Sequence, residues 1–192
     1  MDFILLYRRI KDIFMNPTSM WRDVKDENRT VSEVRTSLLF PLAILISLAG
    51  FIGNTLSSYS GLSFLYPLII AIRYLLVFVI TVEVTSRVIT EIALIISPIK
   101  SFTVNYKLVL YSFTPFMVSM FFSRLFPSLL FINLGGLYGF YIAWRGIEIL
   151  TDTPQDSRLK YTAIVSVATI VFYFAISFLF KELIDGLYYS NT

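Results

Sequence analysis

The sequence predicts an all-α integral membrane protein: a helical bundle of five transmembrane helices preceded by an N-terminal amphipathic interfacial helix. Three observations carry this. The 192 residues have a mean hydropathy of +0.73 and 56% are hydrophobic. Soluble domains hold about 45–50% apolar residues, and a soluble core of this length could not bury the excess. The apolar residues gather into runs of about 18 or more with few charges, enough to cross a hydrocarbon core of about 30 Å as helices. Lysines and arginines are also spread unevenly between the runs, as they are in membrane proteins with a fixed orientation.

The elements follow in order. Residues 1–36 form a cytosolic or interfacial arm. Phe3, Leu6, Tyr7, Ile10, Ile13 and Phe14 recur at helical spacing, with Arg8, Arg9 and Asp12 on the other side, the pattern of an amphipathic helix lying in the interface. The competing reading is a helix packed on its own protein. Phe3–Tyr7 is too short for the apolar core of a cleaved signal, and the basic residues follow it, so no leader is expected. Asn16-Pro17 reads as a cap followed by proline at the first helical position, opening a short helix with Met20, Trp21 and Val24 inward. Thr30-Val-Ser-Glu33 has capping-box form and starts the next helix.

Residues 37–186 carry the spans, expected at about 37–54, 62–84, 103–122, 127–150 and 161–180, with 187–192 a tail. Pro41 lies near the start of the first span, where a missing donor costs little. The connection Thr55–Ser63 is Ser- and Gly-rich and uncharged. The second apolar segment, Leu62–Ile96, would be about 50 Å long as one helix, so it either projects into the cytosol or breaks near Thr85. Pro98 stops it. The third span carries Pro115, which frees the carbonyl of Tyr111. The fourth places Gly135, Gly139 and Gly146 on one side, spacing that lets helix backbones approach closely in lipid. That face would serve the fold or a dimer equally well. The fifth span, Tyr161–Phe180, holds no charge.

Before Ser37 stand Arg8, Arg9, Lys11, Arg22, Lys25, Arg29 and Arg35. Lys100, Lys107, Arg158 and Lys160 flank the later connections on the same side, while the opposite side has only Arg124 and Lys181. The positive-inside rule then puts the N-terminus in the cytosol and the C-terminus outside.

Within the spans a few charges invite a functional reading. Arg73, Glu83, Arg87 and Glu91 share an arc of about 80° on the second segment. Arg73 falls near the midplane, where a charge must face the bundle interior or a wet cavity. The Tyr111 carbonyl, Asn133 or a tyrosine hydroxyl are candidate partners. Arg73 reads as part of an ion path or as a knot between helices, with the knot favoured. Glu83, Arg87 and Glu91 follow at i, i+4 and read as a self-neutralising ladder rather than a cation site. Arg145 and Glu148 make a similar i, i+3 pair on the fourth span.

The chain has no cysteine and no histidine, which removes thiol chemistry, the usual zinc sites and histidine acid–base catalysis. It has no phosphate-binding loop, no zinc-protease motif and no paired intramembrane aspartates. No enzymatic activity, metal or cofactor is expected. A net charge of +3 gives no support to nucleic-acid binding.

The chain resembles the Yip-one domain family of five-span membrane proteins, whose name refers to Ypt/Rab GTPase interaction. The features that carry the likeness are Tyr111-Ser-Phe-Thr-Pro115, the Gly-rich fourth span ending in Gly146-Ile-Glu-Ile-Leu-Thr-Asp-Thr-Pro154, Lys160-Tyr161 at the last span, and Asn16-Pro17 with Trp21. The arm is similar to that of the compact prokaryotic members, and a composition rich in Ile, Phe, Tyr and Asn suits a low-GC bacterium, implying its cytoplasmic membrane. The resemblance implies a membrane organiser or adaptor that recruits a partner, self-associates or shapes the bilayer. Eukaryotic members carry an Asp-Leu-Tyr-Gly-Pro motif before the first span; this chain has none, which argues against GTPase binding here. The alternative reading is a small transporter or channel subunit with Arg73 and Glu83 lining a path between the second, third and fourth helices.

Overall fold

The computed structural model describes residues 3–57, 65–96, 101–151 and 153–189. Most of the Ser/Gly-rich connection, together with Pro98 and Lys100, lies outside them. The described chain is helical throughout. The helices α1 (Phe3–Met15) and α2 (Pro17–Asp26) form a hairpin. Next come α3 (Val31–Val34), a π-helical turn over Arg35–Leu39, and α4 (Phe40–Ser57). Three elements follow: α5 (Leu65–Ile96), α6 (Phe102–Leu125) and a 3-10 stretch over Pro127–Leu137. The chain closes with α7 (Tyr138–Leu150) and α8 (Gln155–Tyr189).

Among the described residues, four helices are long and apolar enough to cross a bilayer: Val31–Leu56, Leu65–Ala93, Phe102–Leu125 and Gln155–Ile184. The second segment does not break at Thr85. It is one helix of 32 residues, about 48 Å at 1.5 Å per residue, so it must project well beyond a bilayer or tilt strongly. The last span also exceeds expectation, because α8 continues through Lys181 to Tyr189.

The fourth apolar run departs from a single α-helix. Its first part is an 11-residue 3-10 helix interrupted at Leu129 (φ −97°, ψ 28°). Such runs rarely exceed three or four residues, and the reason here is contact with α6. A Cβ on Gly136 would lie 2.7 Å from the Phe116 ring, and one on Gly139 would lie 2.4 Å from the Ser112 carbonyl oxygen. The narrower helix and absent side chains bring the two backbones together. Gly146 meets Leu108 and Trp21 at 2.7 Å. Gly136, Gly139 and Gly146 are therefore occupied within the chain.

Helix α6 is the centre of the bundle. Its residues Asn105 to Tyr111 are all buried, and it packs against α4, α5, the 3-10 stretch and α7. It stays helical through Pro115, with Thr114 Oγ1 donating to the Leu110 carbonyl (2.9 Å) and Ser119 Oγ to the Pro115 carbonyl (2.8 Å). Helix α8 packs chiefly on α5 and α7 and leaves Val167, Val171, Phe174, Phe178 and Leu179 exposed, the composition of a lipid-facing surface.

Candidate functional site

The N-terminal hairpin is fastened to the bundle by a few aromatic contacts. Met20, Trp21 and Val24 form the inward face of α2, as their spacing predicts. Trp21 is 0% exposed. Its Nε1 donates to the Ile142 carbonyl at 2.9 Å, and its ring lies 5.4 Å from that of Tyr111. Gly146 leaves the space it fills. Further along, Phe14 stacks on Tyr138 at 5.9 Å, and the Tyr138 hydroxyl donates to the Phe14 carbonyl at 3.2 Å.

Helix α1 uses two faces. Leu6 and Ile13 are buried in the core. Ile4 (72% exposed), Tyr7 (68%) and Met15 (70%) point outward, and the exposed Arg8 and Lys11 stand among them. One side of α1 thus packs on the protein, while the other keeps an amphipathic composition.

Polar side chains hold this end of the bundle in two layers. In the outer one, Lys107 of α6 reaches the last carbonyls of α2, donating from Nζ to Val24 at 3.4 Å and Glu27 at 3.0 Å. A cation at a helix C-terminus satisfies orphan acceptors and opposes the negative end of the dipole. Arg9 and Arg29 both pair with Glu27. Arg145 joins Glu148 (2.7 Å) as its spacing predicts and also donates to Thr18 Oγ1 of α2 (2.8 Å). Arg158 of α8 reaches the same Glu148 at 3.3 Å. The pair is thus a three-helix tie rather than an isolated anchor.

The inner layer is built on α5 and α6. Glu83 forms no ion pair with Arg87 among the described residues. It pairs instead with Arg35 in the π-helical turn (2.7 Å) and accepts from the Tyr106 hydroxyl (3.0 Å). The Glu83–Arg87 rung gives way because Glu83 turns into the bundle while Arg87 is exposed. Asn105 makes a second node, donating to Thr90 Oγ1 (3.3 Å) and accepting from the Tyr161 hydroxyl (2.6 Å). It joins α5, α6 and α8. Asn105, Tyr106 and Lys107 were not singled out by sequence, although three polar residues in a row at the start of an apolar run were the available signal.

Arg73 lies elsewhere. Its Nη2 donates to the Ser177 carbonyl (2.9 Å) and Oγ (3.2 Å) on α8; none of the three partners expected from sequence is used. Ten residues separate Arg73 from Glu83 on α5, about 15 Å along the axis, and each is bonded to a different helix. Asn133 lines an apolar cavity of about 170 Å³ between α6, the 3-10 stretch and α8, with Ser112, Phe116 and Tyr173. Its Oδ1 and the Ser112 Oγ have no partner.

A bundle of long apolar helices, knotted by polar nodes and carrying an amphipathic hairpin at one end, defines an integral membrane protein. The Yip1 domain profile matches residues 11–178, from within α1 to near the end of the last span, and the chain belongs to that family. No curated protein and no solved structure matches it.

Proposed function

We propose that this chain is a non-enzymatic membrane organiser, a five-span scaffold that holds α1 as a wedge in the cytosolic interface and uses it to shape the bilayer or seat a partner. The observation that carries the reading is the double face of α1. Leu6 and Ile13 dock it, yet Ile4, Tyr7 and Met15 stay exposed beside Arg8 and Lys11. Those apolar side chains are left largely exposed. Burying each in lipid is worth about 1.5–3 kcal/mol, and the two cations suit an anionic membrane surface. The Trp21 and Phe14 contacts hold the wedge at a fixed angle, so insertion is coupled to the bundle.

The two charges of the transport reading are bonded to different helices among the described residues: Arg73 to Ser177, and Glu83 to Arg35 and Tyr106.

The test is reconstitution into vesicles containing phosphatidylglycerol, with vesicle diameter read by electron cryomicroscopy. The intact chain should yield smaller or tubulated vesicles. A variant with Ile4→Glu, Tyr7→Glu and Met15→Glu should fold and insert but leave vesicles unchanged and lose any partner crosslinked in the native membrane. Equal remodelling and equal partner recovery by both would refute the reading.

A further inference from the structure

At the end of the bundle remote from the arm, two arginines have no counter-ion. Arg73 of α5 spends one nitrogen on Ser177. Arg124, in the last turn of α6, lies over the Tyr74 ring with Cζ 4.7 Å from its centroid. In both, Nε is buried without a partner. None of the ion pairs among the described residues includes either arginine, and Glu182, further along α8, is exposed.

The two arginines are bound to neighbouring residues: Arg73 to Ser177 on α8, and Arg124 to the ring of Tyr74 on α5. Tyr74 follows Arg73 directly in sequence, Tyr173 stands one turn before Ser177, and the Tyr173 hydroxyl is within electrostatic reach of both Arg73 and Arg124. The end of α6 that carries Arg124 sits directly on α4, where a Cβ on Gly53 would come within 2.1 Å of the Arg124 carbonyl oxygen.

Five other arginines in the described bundle and arm (Arg9, Arg29, Arg35, Arg145 and Arg158) have a carboxylate partner. Unpaired charge in a low-dielectric surrounding is expensive, and arginines in membrane segments pair or reach for the phosphate layer. A guanidinium also matches phosphate geometry with its fork of donors.

We propose that Arg73 and Arg124 form an oxyanion site that takes one phosphate group, with the Tyr173 hydroxyl available as a third donor. The source is either a phospholipid head group drawn in from the adjoining leaflet or a free phosphate. This site is separate from α1 and independent of its role.

The experiment uses the full chain in nanodiscs. Thermal unfolding is compared in phosphatidylcholine alone and with added phosphatidylglycerol, and retained lipid is counted by native mass spectrometry. A second arm keeps phosphatidylcholine and compares inorganic phosphate with chloride at equal ionic strength. The expected result is a raised Tm with one retained phosphatidylglycerol, and Arg124→Gln binding it at least about tenfold more weakly, the loss of a charge-assisted hydrogen bond. The α1 variant Arg8→Gln/Lys11→Gln should keep the effect. An arginine-dependent response to inorganic phosphate alone would assign the site to the free ion. If neither ligand raises the Tm of the intact chain, or Arg124→Gln responds as fully as the intact chain, the proposal fails. Should Arg124→Gln not fold, the response of the intact chain to the two ligands decides the matter, and no response refutes it.

Discussion

Replacing Trp21 with alanine should detach the arm and leave the bundle standing. The indole is fully buried against Tyr111, Leu108 and Gly146, and its N–H is satisfied by the Ile142 carbonyl. Truncating a buried aromatic of this kind costs about 3–5 kcal/mol, including the cavity left behind, of which the hydrogen bond supplies about 1 kcal/mol. The loss falls on the hairpin, whose other holds are Met20, Val24, the Lys107 cap and the Phe14–Tyr138 stack. Helices α4 to α8 keep their own contacts. Because the chain has no cysteine, spin labels can be placed cleanly through Lys11→Cys and Leu137→Cys, both at exposed positions. Pulsed electron resonance should give a narrow distance distribution in the intact chain and a broad, longer one with Trp21→Ala. Trp21→Phe should lie between, losing about 1 kcal/mol for the hydrogen bond and somewhat more for the lost ring. An unchanged distribution with Trp21→Ala would show that the arm is held by something other than this side chain, and the coupling of wedge to bundle would need another basis.

The remaining predictions concern the bundle. Gly139→Ala places a methyl 2.4 Å from the Ser112 carbonyl oxygen, a backbone atom that cannot rotate away; it should cost about 1–3 kcal/mol or more in detergent unfolding, while Gly186→Ala, with nothing within 4 Å, should be silent. Tyr161→Phe leaves the Asn105 Oδ1 without its 2.6 Å donor and should destabilise by about 1–3 kcal/mol, with Asn105→Ala costing less on top of it than alone, the remainder being its bond to Thr90. Glu83→Gln should be destabilising alone and nearly neutral when Arg35 is already glutamine, since the two share one ion pair; an additive result would refute the pairing. Lys107→Met should lower stability by about 1 kcal/mol through the uncapped end of α2, read as faster proteolysis of the α2–α3 connection.

How much of this was legible in the sequence depends on the range of the interaction that decides each feature. The apolar runs announce their helices because length and composition alone place a segment in lipid. The Thr30–Glu33 capping box is local, and both of its hydrogen bonds form (2.8 and 3.3 Å). Asn16 shows the limit even at short range: it precedes Pro17 as expected but makes no side-chain cap. Glu83 was harder. Its i+4 neighbour Arg87 is always available, yet a salt bridge on an exposed helix face is worth only tenths of a kcal/mol, and the partner that prevails, Arg35, is brought close only by the packing of α4 on α5. The 3-10 stretch was hidden for a related reason. Glycines at four-residue spacing signal close approach, but that the approach would tighten the helix itself follows from what faces them, Phe116 and the Ser112 backbone. Arg73 joins both lessons. Its depth in an apolar run marked it as a residue needing a partner, and periodicity on its own helix could not name Ser177, 104 residues away. What the sequence supplied there was the demand, and only the fold could say which helix meets it and that Arg124 shares the same unmet charge.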